Sequence, residues 1–520
     1  MTDNNTLLGT QYSFKEFLFN NRRNQIILLL AAGAIIIQFA VFKYLYPYAS
    51  FIHDDSFDYL KIAYYNLDIY TYPVGYPRFL RLFSVFTSSD TALVAFQYLL
   101  IQSSALFFLF TLFYFYNPGK TLQIILVCFM VVNPLFLHLA NHISSDGLFL
   151  ALSLIWVTLL LWIIHRPSTR LILWHVLILI VAFTVRYNAL IYPFITALTL
   201  WLSPFSLRKK IVSLTSIVLF CGLFVCYTSY KYKKLTGYWQ YSPFSGWQLT
   251  NNAMYAYRYV ESGKRKPVPA RFKVLDKMVC TYFDSTRDVN KYPHEALQAN
   301  TVYMWSPGLP LYKYMNIQFK NDSTADEMKR WASMGPLYAD YGIWLIKHYP
   351  LQFARYFLWP NANKYYAPPI EFFQAYNSGR DYVAPIAKAW FGYKSHKVTT
   401  RMKNMKVTIL DYYSILSGVM NVMFLCSLLG FIIMNGLQSN IQFSKGIILI
   451  SAVWLINLGF TIFASSAALR FLAFPIMLIS TFALLLVDCL VRMGIAKSDV
   501  KSIQPEEKNN DSEMLTKSFV

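Results

Sequence analysis

Two adjacent carboxylates, Asp54 and Asp55, stand in the string His53-Asp54-Asp55-Ser56-Phe57-Asp58-Tyr59, a few residues beyond an apolar run of membrane-spanning length. Carboxylates placed there do not help insertion, since each costs about 3 kcal/mol when drawn into hydrocarbon. The membrane surface is where a lipid-borne substrate presents its head group, so this pair is the first candidate for chemistry. The plainer alternative is an amphipathic interfacial helix with a solvated acidic face.

Whatever chemistry the pair performs, apolar helices must position it. The chain is 56% hydrophobic, 18% aromatic and 14% charged, against about 25% charged residues in soluble domains. Apolar runs of about 20 residues, each able to cross a ~30 Å hydrocarbon core, recur along it. We therefore expect an all-α polytopic membrane protein. Spans are predicted over 25–45, 91–115, 121–140, 147–164, 171–185, 188–203, 211–230, 409–434, 445–463 and 471–491, with the segment around Arg186 alternatively forming one broken helix. The regions are then an N-terminal membrane module, 1–230, carrying a first loop at 46–90; a long insertion, 231–408; C-terminal spans, 409–491; and a polar tail, 492–520, expected to be disordered.

Basic residues orient this arrangement. Arg22 and Arg23, Lys120, Arg166 and Arg170, Arg208-Lys209-Lys210, Lys445, and Arg492 with Lys497 fall at alternate span ends, and the opposite short loops hold little beyond Arg186 and Arg470. The positive-inside bias predicts cytoplasmic termini and tail, and an exoplasmic placement for 46–90 and 231–408. The first span is expected to be an uncleaved anchor, being of full length with no small-residue cleavage site after it.

The net charge is +21, and residues 231–408 hold 26 Lys and Arg against 11 Asp and Glu. A basic, aromatic-rich surface beside a bilayer suits anionic membrane lipids or a phosphorylated lipid substrate. Nucleic acid, the other common partner of basic surfaces, is not expected on this side of a membrane. Of six cysteines only Cys280 falls in the long insertion, so no intrachain disulfide is expected there, and no zinc-ligand spacing occurs. His138 and His142, one helical turn apart, read as hydrogen-bonded packing.

The first loop is organised. Residues 54–67 can form an interfacial helix, and Tyr72-Pro73-Val74-Gly75-Tyr76-Pro77-Arg78 breaks it with two prolines and a glycine, which enforce a fixed turn. A second short helix follows from Arg78.

Asp54-Asp55 after the first span, Tyr59 a few residues on, and Pro73-Val74-Gly75-Tyr76-Pro77 together resemble the first exoplasmic loop of the C-type glycosyltransferases (GT-C), in particular the protein O-mannosyltransferases and the lipid A aminoarabinose transferases. Asn133-Pro134 with Ser144-Ser145-Asp146-Gly147 is similar to their third-to-fourth span junction, Val185-Arg186-Tyr187-Asn188 to a basic motif of their middle spans, and Leu469-Arg470-Phe471-Leu472-Ala473-Phe474-Pro475 to an Arg-aromatic-Pro motif near their C-terminus. The likeness covers roughly 20–230 and 409–491. Many relatives read Asp-Glu where this chain reads Asp-Asp, which leaves open which aspartate matches the essential acid.

The resemblance implies a GT-C-like bundle of about ten spans with a large exoplasmic α-rich insertion. It also implies transfer of a sugar from a polyprenyl-phosphate donor to an exoplasmic glycan, lipid or protein. Asp54 or Asp55 would then accept or orient the acceptor hydroxyl. Arg186 and Arg470 would stabilise the departing phosphate; their alternative is snorkelling at span ends. Asp146 is a further carboxylate candidate or else a helix-capping acid. Tyr59, Tyr76 and Arg78 complete the expected substrate contacts. A divalent cation, Mg²⁺ or Mn²⁺, could serve the paired acids. A bacterial plasma membrane is the expected location. The rival function is a transporter or flippase of lipid-linked sugars, which would place ionisable residues near the midplane. A membrane scaffold is a third reading.

Overall fold

The structure, a computed structural model, describes residues 12–402 and 405–503, with side chains through Ile495. The described residues are helical, with three isolated β-bridges in place of any sheet. Among the described residues eight helices are long and apolar enough to cross a membrane: α1 (Arg22–Leu45), α4 (Asp90–Tyr116), α5 (Lys120–Asn141), α6 (Ser145–His165), α9 (Leu207–Thr236), α10 (Tyr413–Ile433), α11 (Ile441–Ala464) and α12 (Leu469–Ile495). Two short helices, α2 (Asp55–Tyr65) and α3 (Gly75–Ser84), lie in the first loop. The fifth and sixth predicted spans are shorter helices, α7 (Thr169–Val185) and α8 (Tyr187–Leu202). They form an antiparallel hairpin and not one broken helix, because Thr196 Oγ1 and His175 Nε2 meet at 3.2 Å. A continuing helix would hold two residues that far apart in sequence about 30 Å from one another.

The bundle has two chemically distinct ends. At one, Arg23 donates to the Lys120 carbonyl at 3.2 Å, Arg492 donates to the Asn117 carbonyl at 3.0 Å and pairs with Asp488, and Arg166 lies over the Tyr114 ring. The other end gathers the start of α6, the tip of the α7–α8 hairpin, the start of α12 and the first loop. The last helix runs on to Ile503, past the expected start of the disordered tail at 492. No proline lies between 492 and 503 to break the helix. Residues 504–520 lie outside the described residues.

The 231–408 insertion divides between two cores. Residues from Tyr232 to Phe357 build their own, with Trp247, Tyr257, Tyr338 and Tyr341 almost fully buried. From Tyr365 to Leu410 the chain belongs to the core of the membrane helices. Within that strap Tyr376 donates its hydroxyl to the Tyr48 and Ala49 carbonyls, both at 3.2 Å.

A candidate active site at the loop end of the bundle

Asp54 and Asp55 are turned apart by the backbone between them. Asp54 has φ 70° and ψ −58°, and the Asp55 amide donates to the His53 carbonyl at 3.0 Å. This is a γ-turn of the rare, strained kind. Its consequence is that Asp54 is exposed, while Asp55 begins α2 and faces the bundle.

Asp55 is held by two donors. Tyr72 donates its hydroxyl to Oδ1 at 2.7 Å and Arg470 donates from Nη2 to Oδ2 at 2.9 Å. Arg470 also faces Asp146, with Nη1 3.6 Å from Oδ2. Asp146 pairs on its other oxygen with Arg186 and accepts from Ser144 Oγ at 2.9 Å. Arg186 donates to Ser145 Oγ at 3.2 Å, and that hydroxyl lies 3.1 Å from the Tyr59 hydroxyl. Two acids and two arginines thus form one neutral cluster from four separate elements. It is largely buried: side-chain exposure is 2% for Asp146 and 9% for Arg470. Aromatic faces complete the enclosure, since the Arg470 guanidinium lies 4.0 Å from the Phe372 ring centre and 4.5 Å from that of Phe471, which also stands 4.9 Å from Arg186.

Local sequence explains how each member arrives. The buried Ser144-Ser145-Asp146 junction starts α6, so Asp146 lies in its first turn, where the helix dipole favours an anion. The ring of Pro193 and the short 3₁₀ turn Tyr187–Ile191 reverse the chain just after Arg186. Gly75 lets the first loop press against this hairpin, since a Cβ there would sit 2.5 Å from the Thr184 carbonyl oxygen. Arg470 is placed by Asn361, which is fully buried. Its Nδ2 donates to the carbonyls of Thr461, Ile462 and Ser465 at 3.2, 2.9 and 2.5 Å, and its Oδ1 accepts from the Ala467 amide at 2.8 Å. One side chain therefore fixes the whole turn between α11 and α12.

Of the residues expected from sequence, Asp55, Asp146, Arg186, Arg470 and Tyr59 converge. Asp54 stands beside them but faces outward. Tyr76 packs edge-on against Tyr59 and donates to Gln97 Oε1 at 3.1 Å, and with no exposed surface it has nothing to offer a ligand. Arg78 is not part of the cluster; it binds Asp68 at 2.9 Å, where Lys231 also pairs, and it contacts Asn66. The short-range acid captured it. Sequence reading missed Tyr72, Ser145, Phe372 and Asn361, of which Tyr72 and Ser145 lay inside motifs already singled out.

His142 is a structural tie, as the spacing with His138 suggested: its Nδ1 donates to the His138 carbonyl at 2.7 Å and its Nε2 accepts from Ser50 Oγ at 3.2 Å. Among the described residues no three His, Cys, Asp or Glu side chains come together in a way that could hold a metal ion.

Two titrating groups outside the spans border the cluster. Burial pushes the Asp58 carboxyl up to about 7, against the opposing influence of Lys61 and Tyr70 and with reinforcement from Asp55 and Asp54. Burial likewise raises Glu371, with Lys364 and Arg470 pulling the other way.

The arrangement offers fixed cationic donors in a dry site beside an exposed carboxylate. Arg470 Nε, moreover, is a buried donor with no acceptor among the described residues, an expensive condition that polar ligands relieve. No protein-family model matches the chain, and neither a curated protein nor a solved structure matches it.

Proposed function

We propose that this chain is a membrane glycosyltransferase that moves a sugar from a polyprenyl-phosphate carrier to an exoplasmic acceptor in a bacterial plasma membrane. The observation that carries the reading is the Asp55–Arg470–Asp146–Arg186 cluster, with its unsatisfied Arg470 Nε, at the end of the bundle. Guanidinium donors pre-positioned among aromatic rings suit the charge that develops on a departing phosphate. The carboxylates hold the arginines ready until a phosphate competes for them.

In the transfer step the acceptor oxygen bonds to the anomeric carbon and the bond from that carbon to the phosphate oxygen breaks. The bonding pair leaves with the phosphate, between Arg186 and Arg470. The hydroxyl proton passes to a carboxylate. Asp54 is assigned that role, because both oxygens of Asp55 are engaged by Tyr72 and Arg470 while Asp54 makes no ion pair with a described residue. Asp55 is a positioning residue.

The transporter reading calls for charges near the middle of the spans; here Asp146, Arg186 and Arg470 lie at helix ends. The test compares polyprenyl-linked sugars in membranes from cells with and without the gene. Loss of the gene should leave a polyprenyl-phosphate sugar accumulated on the exoplasmic leaflet, and the Asp54→Asn, Asp55→Asn double variant should do the same. Normal glycosyl transfer by that variant at normal protein level overturns the proposal.

A further inference from the structure

The outward side of the His53–Asp55 turn carries chemistry that the cluster does not use. Arg380 donates from Nη1 to His53 Nδ1 at 2.8 Å and to the Tyr382 hydroxyl at 3.2 Å, with its guanidinium 5.7 Å from the Tyr382 ring centre. Since Nδ1 accepts, the imidazole proton sits on Nε2, a buried donor with no acceptor among the described residues. Burial, and then Arg380, lower the His53 pKa and keep the ring neutral; Asp54 acts in the opposite sense. Tyr382 is 48% exposed, and Arg380 and Asp54 are exposed as well.

The patch is built and not incidental. Asn377 and Ser378 both have positive φ, 49° and 53°, and they grip the segment that leads to Asp54. Asn377 Oδ1 accepts from the Phe51 amide at 3.3 Å and the Asn377 amide donates to Ser50 Oγ at 2.9 Å. Ser378 Oγ accepts from the His53 amide at 3.3 Å and donates to the Phe51 carbonyl at 3.1 Å. Asn377 Nδ2 closes the turn on the Arg380 and Tyr382 carbonyls at 2.7 and 3.1 Å. Two non-glycine residues at positive φ, Asn377 and Ser378, therefore hold residues 50–53, directly ahead of a third, Asp54. Each such conformation costs roughly 1–3 kcal/mol and persists where the surroundings over-determine it, most often at functional sites.

The sign of the ligand follows from charge. Arg380 makes no ion pair with a described residue, and only its Nη1 is used in hydrogen bonds to the protein. Residues 380–406 carry seven Lys and Arg against a single Asp, Asp381. An exposed tyrosine face beside an arginine fork and a carboxylate matches a hydroxyl-bearing ring or chain with an anionic substituent.

We propose that Asp54, Arg380 and Tyr382 form the acceptor subsite, and that the acceptor carries a phosphate or carboxylate close to the hydroxyl that attacks. This rests on the transferase reading for its role, but not for its detection. The adjacent aspartates thereby divide two tasks: Asp55 belongs to the donor phosphate side and Asp54 to the acceptor side.

The anion can come from a soluble sugar or from a lipid head group, so the test has two arms. In one, glucose 6-phosphate and glucose are titrated against the full chain in detergent by saturation-transfer NMR. In the other, the full chain is placed in nanodiscs of phosphatidylcholine with or without phosphatidylglycerol, and contact of the glycerol-phosphate head group with the protein is followed. We expect binding of glucose 6-phosphate but not glucose if the source is soluble, and head-group contact in the phosphatidylglycerol discs if it is lipid. Whichever probe binds should lose ~10-fold in affinity with Arg380→Ala, recover in part with Arg380→Lys, and weaken with Tyr382→Ala. Arg271→Ala, which removes an exposed arginine paired with Asp340 elsewhere in the insertion, should leave it unchanged. Positions 380 and 382 are both at the surface, and matched melting curves check folding. Binding of neither probe, binding indifferent to both Arg380→Ala and Tyr382→Ala, or binding lost equally with Arg271→Ala overturns the subsite. None of these outcomes depends on whether sugar is transferred.

Discussion

Asp55 and Arg470, 415 residues apart in sequence, form a 2.9 Å ion pair that ties the first loop to the start of the last membrane helix. The arginine reaches Asp146 as well, so the pair is the hinge of a four-charge cluster with no net charge. Breaking a buried pair by removing one partner strands the other in a medium that solvates it poorly.

Arg470→Ala should therefore destabilise the protein by about 3–5 kcal/mol, because two buried carboxylates are left with Arg186 alone. Asp55→Asn should cost less, since the amide still accepts from Tyr72 and Arg470 keeps Asp146. Arg470→Lys should recover much of the stability and little donor binding, as an ammonium offers a point charge without the fork. Thermal melts of the purified variants, set beside their affinity for a polyprenyl-phosphate sugar, check both halves. Equal melting temperatures for Arg470→Ala and the parent protein would remove the cluster from the account of stability.

Asn361 predicts a different signature. Replaced by Ala, it leaves the Ala467 amide and the α11 end carbonyls without their partner, at about 1–3 kcal/mol for each buried group left unmet. Because the turn it holds carries Arg470, donor KM should rise in Asn361→Ala more than kcat falls. A variant with lowered stability and an unchanged donor KM would make Asn361 structural only.

Asp58 gives stability a pH dependence with a definite sign. Its folded carboxyl titrates near 7 because burial disfavours the charged form, whereas in the unfolded chain it titrates in the ordinary range near 4. The folded state thus binds the proton more tightly, and stability should fall as pH rises from about 4 to 7 and level off above. At most this contributes about 1.4 kcal/mol per pH unit. Asp58→Asn should flatten the melting-temperature profile across that window. A profile that keeps its slope in the variant would assign it to another group.

Membrane sidedness is open to a direct chemical test. Asn290 in the insertion and Ser206 before α9 are both exposed. A cysteine introduced at Asn290 should react with an impermeant thiol reagent added outside intact cells, and one at Ser206 should react only after permeabilisation. The reverse pattern inverts the orientation and moves the candidate site to the cytoplasmic face.

Eight of the ten expected spans were readable in the sequence because run length and composition decide them locally. The convergence of Asp55, Asp146, Arg186 and Arg470 was readable too, since all four lie where apolar runs end on the same side of an alternating chain. What escaped depends on contacts that no local pattern encodes. Asn361 acts on a turn 100 residues away, and Arg380 lies 327 residues from His53. Arg78 looked like part of the site until Asp68, ten residues away, proved the nearer partner. The division of the insertion was hidden for another reason: both of its parts share one basic, aromatic-rich composition, and only burial separates their cores.

Asp54 provides the sharpest prediction, because its two roles pull in opposite directions. Its φ of 70° and ψ of −58° strain any residue with a Cβ, and glycine adopts that conformation freely. Its carboxylate makes no ion pair with a described residue, so removing it costs no contact. Asp54→Gly should therefore raise stability by about 1 kcal/mol, visible as a higher melting temperature, while turnover falls by roughly 10²–10⁴-fold through loss of the proton acceptor. Asp54→Asn should leave stability within about 0.5 kcal/mol and lose turnover to the same degree. A strained residue that serves only the fold would show the converse, with stability gained and activity kept. Full turnover in Asp54→Gly would transfer the proton-accepting role to Asp55 and undo the division of labour between the two aspartates.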